Sequence, residues 1–229
     1  MTMANRVQPK QLALALPHEE SLTRDDFLEG QGNAKALALI DTWPDWPNRI
    51  MMLGGPEGSG KTHLAAIWAE EAGARTVSAH LLTSANVPAA LATGAVVVDD
   101  LDPSTLDHRA LFHLINLARE DGAYVLLTCR LPQTLFDIEL RDLQSRLRAI
   151  PVVTLDPPDD ALLRALIVKF CADRQMTVDE ALVSYLVARI ERSFTAARNA
   201  VAALDAEALR LRRPVTRALA AEVLRDAAA

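Results

Sequence analysis

The chain has 229 residues, 50% of them apolar and 24% charged, with a formal net charge of −6. That size and apolar content suffice for one α/β domain with a smaller companion, and the acidic balance argues against a broad nucleic-acid-coating surface while leaving room for a local arginine patch. With no apolar run of about 18 residues, no basic-then-apolar leader, and two cysteines, Cys129 and Cys171, that match no metal spacing, the chain reads as a soluble cytoplasmic protein with reduced thiols and no membrane association.

The first feature along the chain is residues 11–16, Gln11, Leu12, Ala13, Leu14, Ala15 and Leu16, bracketed by Pro9 and Pro17. In an extended backbone the alternation sets Leu12, Leu14 and Leu16 on one side. By periodicity alone the segment is either a peptide made to be docked or an edge strand of the body itself.

An apolar strand over 50–53 then runs into Gly55-Pro56-Glu57-Gly58-Ser59-Gly60-Lys61-Thr62, with His63 following on a helical stretch. This is the full GxxxxGK[ST] pattern in its strand–loop–helix context. The glycines let successive N–H groups turn toward a phosphate, the helix N-terminus adds its positive dipole end, Lys61 reaches the β- and γ-oxygens, and Thr62 supplies a ligand to Mg2+. A nucleotide is the ligand this chemistry fits.

Further β-type runs occur at 76–78, 95–98, 123–128 and 152–155, with helical patterns between most of them. That alternation predicts a parallel sheet covered on both faces, with the continuously apolar third and fourth runs central. The third strand delivers Asp99 and Asp100 at its C-terminal end. Asp99 is placed to hold Mg2+ through water, and Asp100 stands where P-loop ATPases with an additional strand usually carry a glutamate that polarises the attacking water. Being one methylene shorter, Asp100 predicts slow intrinsic hydrolysis. Thr128, at the end of the fourth strand, is placed to sense the terminal phosphate or the attacking water. Arg146, after a helix-like segment and before the fifth strand, is expected at the edge of the α/β domain and outside its own phosphate pocket. There it is either an arginine finger offered to a neighbouring subunit or a solvated cation at a helix end.

Pro157 and Pro158 close the sheet region. The remaining sequence is rich in Ala, Leu and Arg, with helices expected at about 160–175, 179–192, 195–212 and 216–227, and with Asp159, Thr177, Ser193 and Pro214 at the breaks. Arg198 falls near the start of the third of these helices. The domain reading is a tail over 1–20, an α/β nucleotide-binding domain over 21–157 and a helical lid over 158–229.

Taken in order, Asp26-Phe27-Leu28-Glu29-Gly30, the phosphate loop, Val96-Val97-Val98-Asp99-Asp100, Leu126-Leu127-Thr128, Ser145-Arg146-Leu147 and the helical lid resemble the AAA+ family, and within it the DnaA initiator group, over about residues 21–229. The resemblance implies an α/β P-loop NTPase with a five-stranded parallel sheet and a C-terminal all-α lid, binding ADP or ATP with Mg2+. It also implies that Phe27 and Leu28 border the adenine, that Arg146 is an arginine finger acting in trans and that Arg198 is the second sensor. Residues 11–16 are similar to the QLxLxL peptide by which proteins dock on the bacterial DNA polymerase III sliding clamp, Gln11 bonding at the rim and the leucines filling an apolar cleft.

The sequence shows neither the initiator's amino-terminal interaction domain nor a helix-turn-helix module beyond the lid, so a complete initiator is not expected. The resemblance implies instead a negative regulator of chromosomal replication initiation. It would dock on the DNA-loaded clamp, stimulate ATP hydrolysis by DnaA, turn over little nucleotide itself and meet DNA only through the clamp, with self-association left open. A helicase loader is the nearest rival reading, and a P-loop small-molecule kinase is a rival of another class. The sequence departs from the initiators in reading Thr128-Cys129-Arg130 where they tend to have Ser-Asp, in a short segment between the second and third strands, and in lacking the usual Gly-Asn lead before Arg198.

Overall fold

A computed structural model describes residues 22–130, 138 and 140–226; the leucine-bearing peptide at 11–16 lies outside the described residues. Among the described residues, five strands form one parallel sheet: β1 (Ile50–Gly54), β2 (Arg75–Ser78), β3 (Ala95–Leu101), β4 (Tyr124–Cys129) and β5 (Val152–Thr154), in the order β2-β3-β4-β1-β5. The apolar runs of β3, β4 and β1 occupy the three inner positions and are buried on both faces, while the mixed sequences of β2 and β5 form the half-exposed edges.

Because side chains alternate along a strand, each inner strand feeds two cores. Met52, Val96, Val98, Val125 and Leu127 face α3 (Val87–Ala90), α4 (His108–Asp121) and α5 (Arg141–Arg148). Met51, Leu53, Val97 and Leu126 face α1 (Ala34–Asp41) and α2 (Lys61–Ala72), where Trp68 stacks on Trp46 with ring centroids 4.9 Å apart. Placing Arg146 on α5 itself, near its end, differs from the expectation of a position after a helix. Leu143 and Leu147 explain the helix, since their four-residue spacing puts both on the buried side of one face.

Among the described residues, four helices follow β5: α6 (Asp160–Asp173), α7 (Glu180–Val187), α8 (Phe194–Leu211) and α9 (Arg217–Asp226). They gather a core of their own around Leu163, Leu166, Ile167, Leu186, Val201 and Leu204, and Leu28 packs against it from the amino-terminal side. Asp159 and Ser193 cap α6 and α8 by accepting the N–H of Leu162 (2.7 Å) and of Ala196 (3.0 Å). At the break before α7 the cap is Asp179, which accepts from Leu182 at 2.8 Å, and not Thr177. The second of these helices, α7, also ends about five residues sooner than its periodicity predicts, at Val187, because the chain must turn to bring Ser193 and Phe194 against the phosphate loop. No described helix is long and apolar enough to cross a membrane.

Candidate nucleotide site

The parallel sheet brings the carboxyl ends of β1, β3 and β4 to one rim, which is where an open α/β sheet offers a crevice. The loop from Gly55 to Gly60 leaves β1 there and enters α2. Gly60 sits at the N-cap with φ +97°, a conformation that other residues rarely adopt, and brings no capping side chain, so the first-turn amides of α2 are left to serve a ligand. Ser59 Oγ is buried without a hydrogen-bond partner, an orphan of the kind a bound oxyanion would satisfy. Lys61 Nζ donates to the carbonyls of Gly55 (2.8 Å) and Pro56 (2.7 Å) along the loop. Burial pulls the Lys61 ammonium below its ordinary pKa, against the opposing pull of the nearby carboxylates Asp100 and Asp99.

Opposite the loop, β3 is irregular. Its pairing with β4 runs Val98 to Leu127 and then jumps to Leu101 opposite Cys129, so that Asp99 and Asp100 together face Thr128. Asp100 takes φ +59° at this bulge, a strained conformation for a non-glycine residue. Thr128, 1% exposed, holds the bulge together. Its hydroxyl donates to Asp99 Oδ1 at 2.5 Å and accepts the N–H of Asp100 at 2.9 Å. Asp99 Oδ2 in turn accepts from Thr62 Oγ1 at 3.2 Å. Thr62 and Asp99 thus stand together as Mg2+ would require, the remaining ligands being phosphate oxygens and water in the usual manner of that ion. No cluster of three or more His, Cys, Asp or Glu able to hold a metal occurs among the described residues. Cys129, just beyond, is buried and its thiol is pushed up to about 12 by desolvation, so it stays protonated at neutral pH.

Two adjoining cavities follow. One of about 350 Å3 is bordered by Glu57, Lys61, Thr62, Asp99, Thr128 and Arg198, and suits phosphates. The other, of about 420 Å3, lies between Leu22, Asp26 and His63 on one side and α6 and α8 on the other, where Phe170, Phe194 and Asn199 offer apolar and amide contacts. His63 Nε2 lies 2.8 Å from the Thr23 carbonyl, and burial holds the imidazole below its ordinary pKa, so at neutral pH the ring is uncharged and donates this bond.

No protein-family model matches the chain. Among solved structures it is similar to domain III of the Thermotoga maritima replication initiation protein DnaA, with 20% identity and a TM-score of 0.70 over 90% of this chain and 96% of that one. It is also similar to the replication initiator DnaA bound to AMPPCP and single-stranded DNA, with 18% identity and a TM-score of 0.64 over 83% of this chain and 68% of that one. The Thermotoga maritima RuvB Holliday junction branch migration motor matches at 17% identity and a TM-score of 0.69, over 90% of this chain and 72% of that one. The chain has the AAA+ P-loop fold.

Within this fold, Arg198 on α8 borders both cavities, so the lid brings its arginine to the phosphate side without a Gly-Asn lead. Arg146 stands elsewhere. It is half-buried at the α4 side of α5, with its guanidinium carbon 4.9 Å from the centre of the Phe112 ring and its Nε buried without a hydrogen-bond partner. Phe27, 4% exposed, packs beneath the loop against His63 (5.2 Å between ring centres) and borders neither cavity, and Leu28 leans on the lid. The apolar neighbours of the second cavity are instead Leu22, Leu166, Phe170, Phe194 and Ala202, which no local motif marks.

Gly58 joins the loop to the lid. It has φ +66°, its carbonyl accepts the N–H of Phe194 at 2.7 Å, and a Cβ placed on it would lie 2.9 Å from Thr195 Oγ1 and 3.0 Å from Ser193 Cβ. Gly58→Ala is expected to cost about 1–2 kcal/mol from the left-handed backbone alone and to weaken nucleotide binding by separating lid from loop. Urea denaturation and nucleotide titration of the variant check both effects.

Proposed function

We propose that this protein binds ADP or ATP with Mg2+ in the double cavity between loop and lid. On this reading it resembles Hda, the AAA+ regulator that inactivates ATP-bound DnaA. Residues 11–16 dock it on the DNA-loaded sliding clamp of DNA polymerase III, and Arg146 completes the catalytic pocket of a neighbouring DnaA. The observation that carries the reading is the position of Arg146 away from the chain's own phosphate cavity, with a donor nitrogen unused, in a body whose phosphate loop is complete. On this reading the α5-borne guanidinium serves a subunit packed against that side.

Inside the chain's own pocket, the loop amides, Lys61 and Arg198 bind and orient the phosphates, and Thr128 fixes the Asp99 carboxylate toward Thr62. Mg2+, when bound, offsets phosphate charge. Asp100, at the cavity's border, lies 3.8 Å from Arg130 Nε, and this engagement of its carboxylate by a cation favours nucleotide retention over turnover. Location comes from the tail: tethering to a clamp on new duplex raises the local concentration of the regulator near its target.

The test is ATP hydrolysis by purified DnaA in the presence of clamp, DNA and this protein, with the bound nucleotide extracted and identified. Stimulation that requires the clamp is expected. Gln11→Ala/Leu12→Ala should abolish clamp co-elution and the stimulation together while leaving nucleotide content unchanged; a double variant that still co-elutes would reassign the peptide.

A further inference from the structure

Arg130, the residue just past β4, is a cation at the phosphate cavity that the reading above leaves without a task. Its Nη1 pairs with Glu57 Oε2 at 2.7 Å, and its Nε lies 3.8 Å from Asp100 Oδ1. Glu57 follows Pro56, whose carbonyl receives Lys61 Nζ. Asp100 follows the carboxylate that accepts from Thr62. The guanidinium therefore spans the cavity mouth from the outer lip of the loop to the tip of β3, and all three charged residues border the cavity.

The bridge is soft. The side chains of Arg130, Glu57 and Asp100 are 57%, 68% and 59% exposed, and ion pairs at such exposure add little to stability. A phosphoryl group offers the same planar fork two oxygens carrying more charge, in shorter and stronger bonds than a solvated carboxylate. Thr62 and Asp99 would hold Mg2+, which would draw the β- and γ-oxygens of a nucleotide to their side of the cavity. Arg130 lies past them on the Asp100 side, while Arg198 approaches from the lid. A nucleotide held at Lys61 and Thr62 would turn a third phosphate, where present, toward the bridge that borders the same cavity.

We propose that Arg130 is a ligand to the terminal phosphate of a nucleoside triphosphate, in the same chain, and that Glu57 competes with that phosphate for the guanidinium. The proposal rests on the nucleotide reading of this cleft and assigns the cleft a residue that discriminates triphosphate from diphosphate. Arg130 binds the γ-phosphate by leaving Glu57, so the two residues act on triphosphate affinity with opposite sign.

The experiment is calorimetric titration of the full chain with ADP and with AMPPCP, each with Mg2+, for the wild type, Arg130→Ala, Arg130→Lys, Glu57→Gln and the double variant Glu57→Gln/Arg130→Ala. Arg130→Ala should weaken AMPPCP about tenfold, the loss of a charge-assisted contact, and change ADP less than about twofold. Arg130→Lys should recover part of the loss, and Glu57→Gln should tighten AMPPCP about two- to threefold. The double variant should match Arg130→Ala. A bridge that is only structural moves both single variants the same way, so weakening of AMPPCP by Glu57→Gln, or full AMPPCP affinity in Arg130→Ala, overturns the proposal while ADP binding preserves the nucleotide reading. A wild-type chain that binds neither nucleotide overturns both. Equal thermal midpoints for the exposed-site variants show that each is folded.

Discussion

Arg146→Ala is expected to keep its nucleotide and its clamp co-elution and to lose stimulation of DnaA hydrolysis by roughly 10³-fold or more, the size of effect an arginine finger supplies to a slow phosphoryl-transfer site. Packing on its own side holds the guanidinium. Its guanidinium carbon lies over Phe112, 4.9 Å from the ring centre, and no hydrogen-bond acceptor claims the buried Nε. A contact of this kind is worth about 0.5–2 kcal/mol, so the alanine variant remains folded and its loss is read in chemistry. Arg146→Lys should not restore the rate, because a single ammonium cannot reproduce the planar fork on a phosphoryl group. Single-turnover hydrolysis of DnaA-bound ATP with clamp and DNA makes the measurement. Undiminished stimulation by the alanine variant would remove Arg146 from the mechanism.

Thr128→Val is expected to cost about 2–4 kcal/mol of stability and about 10- to 100-fold in Mg2+-dependent nucleotide affinity. Valine keeps the volume, so no cavity opens. The hydroxyl is what matters: its loss takes a charge-assisted bond from Asp99 and leaves the N–H of Asp100 without its acceptor at a strained bulge. Thr128→Ser should restore most of both quantities. Denaturant midpoints and Mg2+ titrations at fixed nucleotide separate the two effects. A valine variant as stable as the wild type would show that the bulge is held by something other than this hydroxyl.

The parts of the site legible in the sequence are those whose chemistry is local. The glycines, Lys61 and Thr62 lie within eight residues and leave little freedom in what they form, and the inner strands announce themselves by unbroken runs such as Val96-Val97-Val98. The hydrogen bonding of Thr128 is less visible, because it depends on a register jump between two strands and on a positive φ at an aspartate, neither of which has a sequence signature. Arg130 is separated from Glu57 by more than seventy residues and meets it only across the sheet rim. Phe27 is easily marked as a site residue by its place ahead of the loop, yet an aromatic ring there is drawn into the core against His63 by the same apolarity that would let it border a base. The early end of α7 likewise follows from the destination of the next helix, which helical periodicity does not encode.

The bond from Phe194 to the Gly58 carbonyl makes loop shape and lid inclination a single mechanical coordinate. Helix α8 runs 18 residues from that anchor, about 27 Å at the standard rise. It is a lever with its short arm fastened to the phosphate loop: a pivot of about 5° at Ser193 sweeps the distant tip through roughly 2 Å.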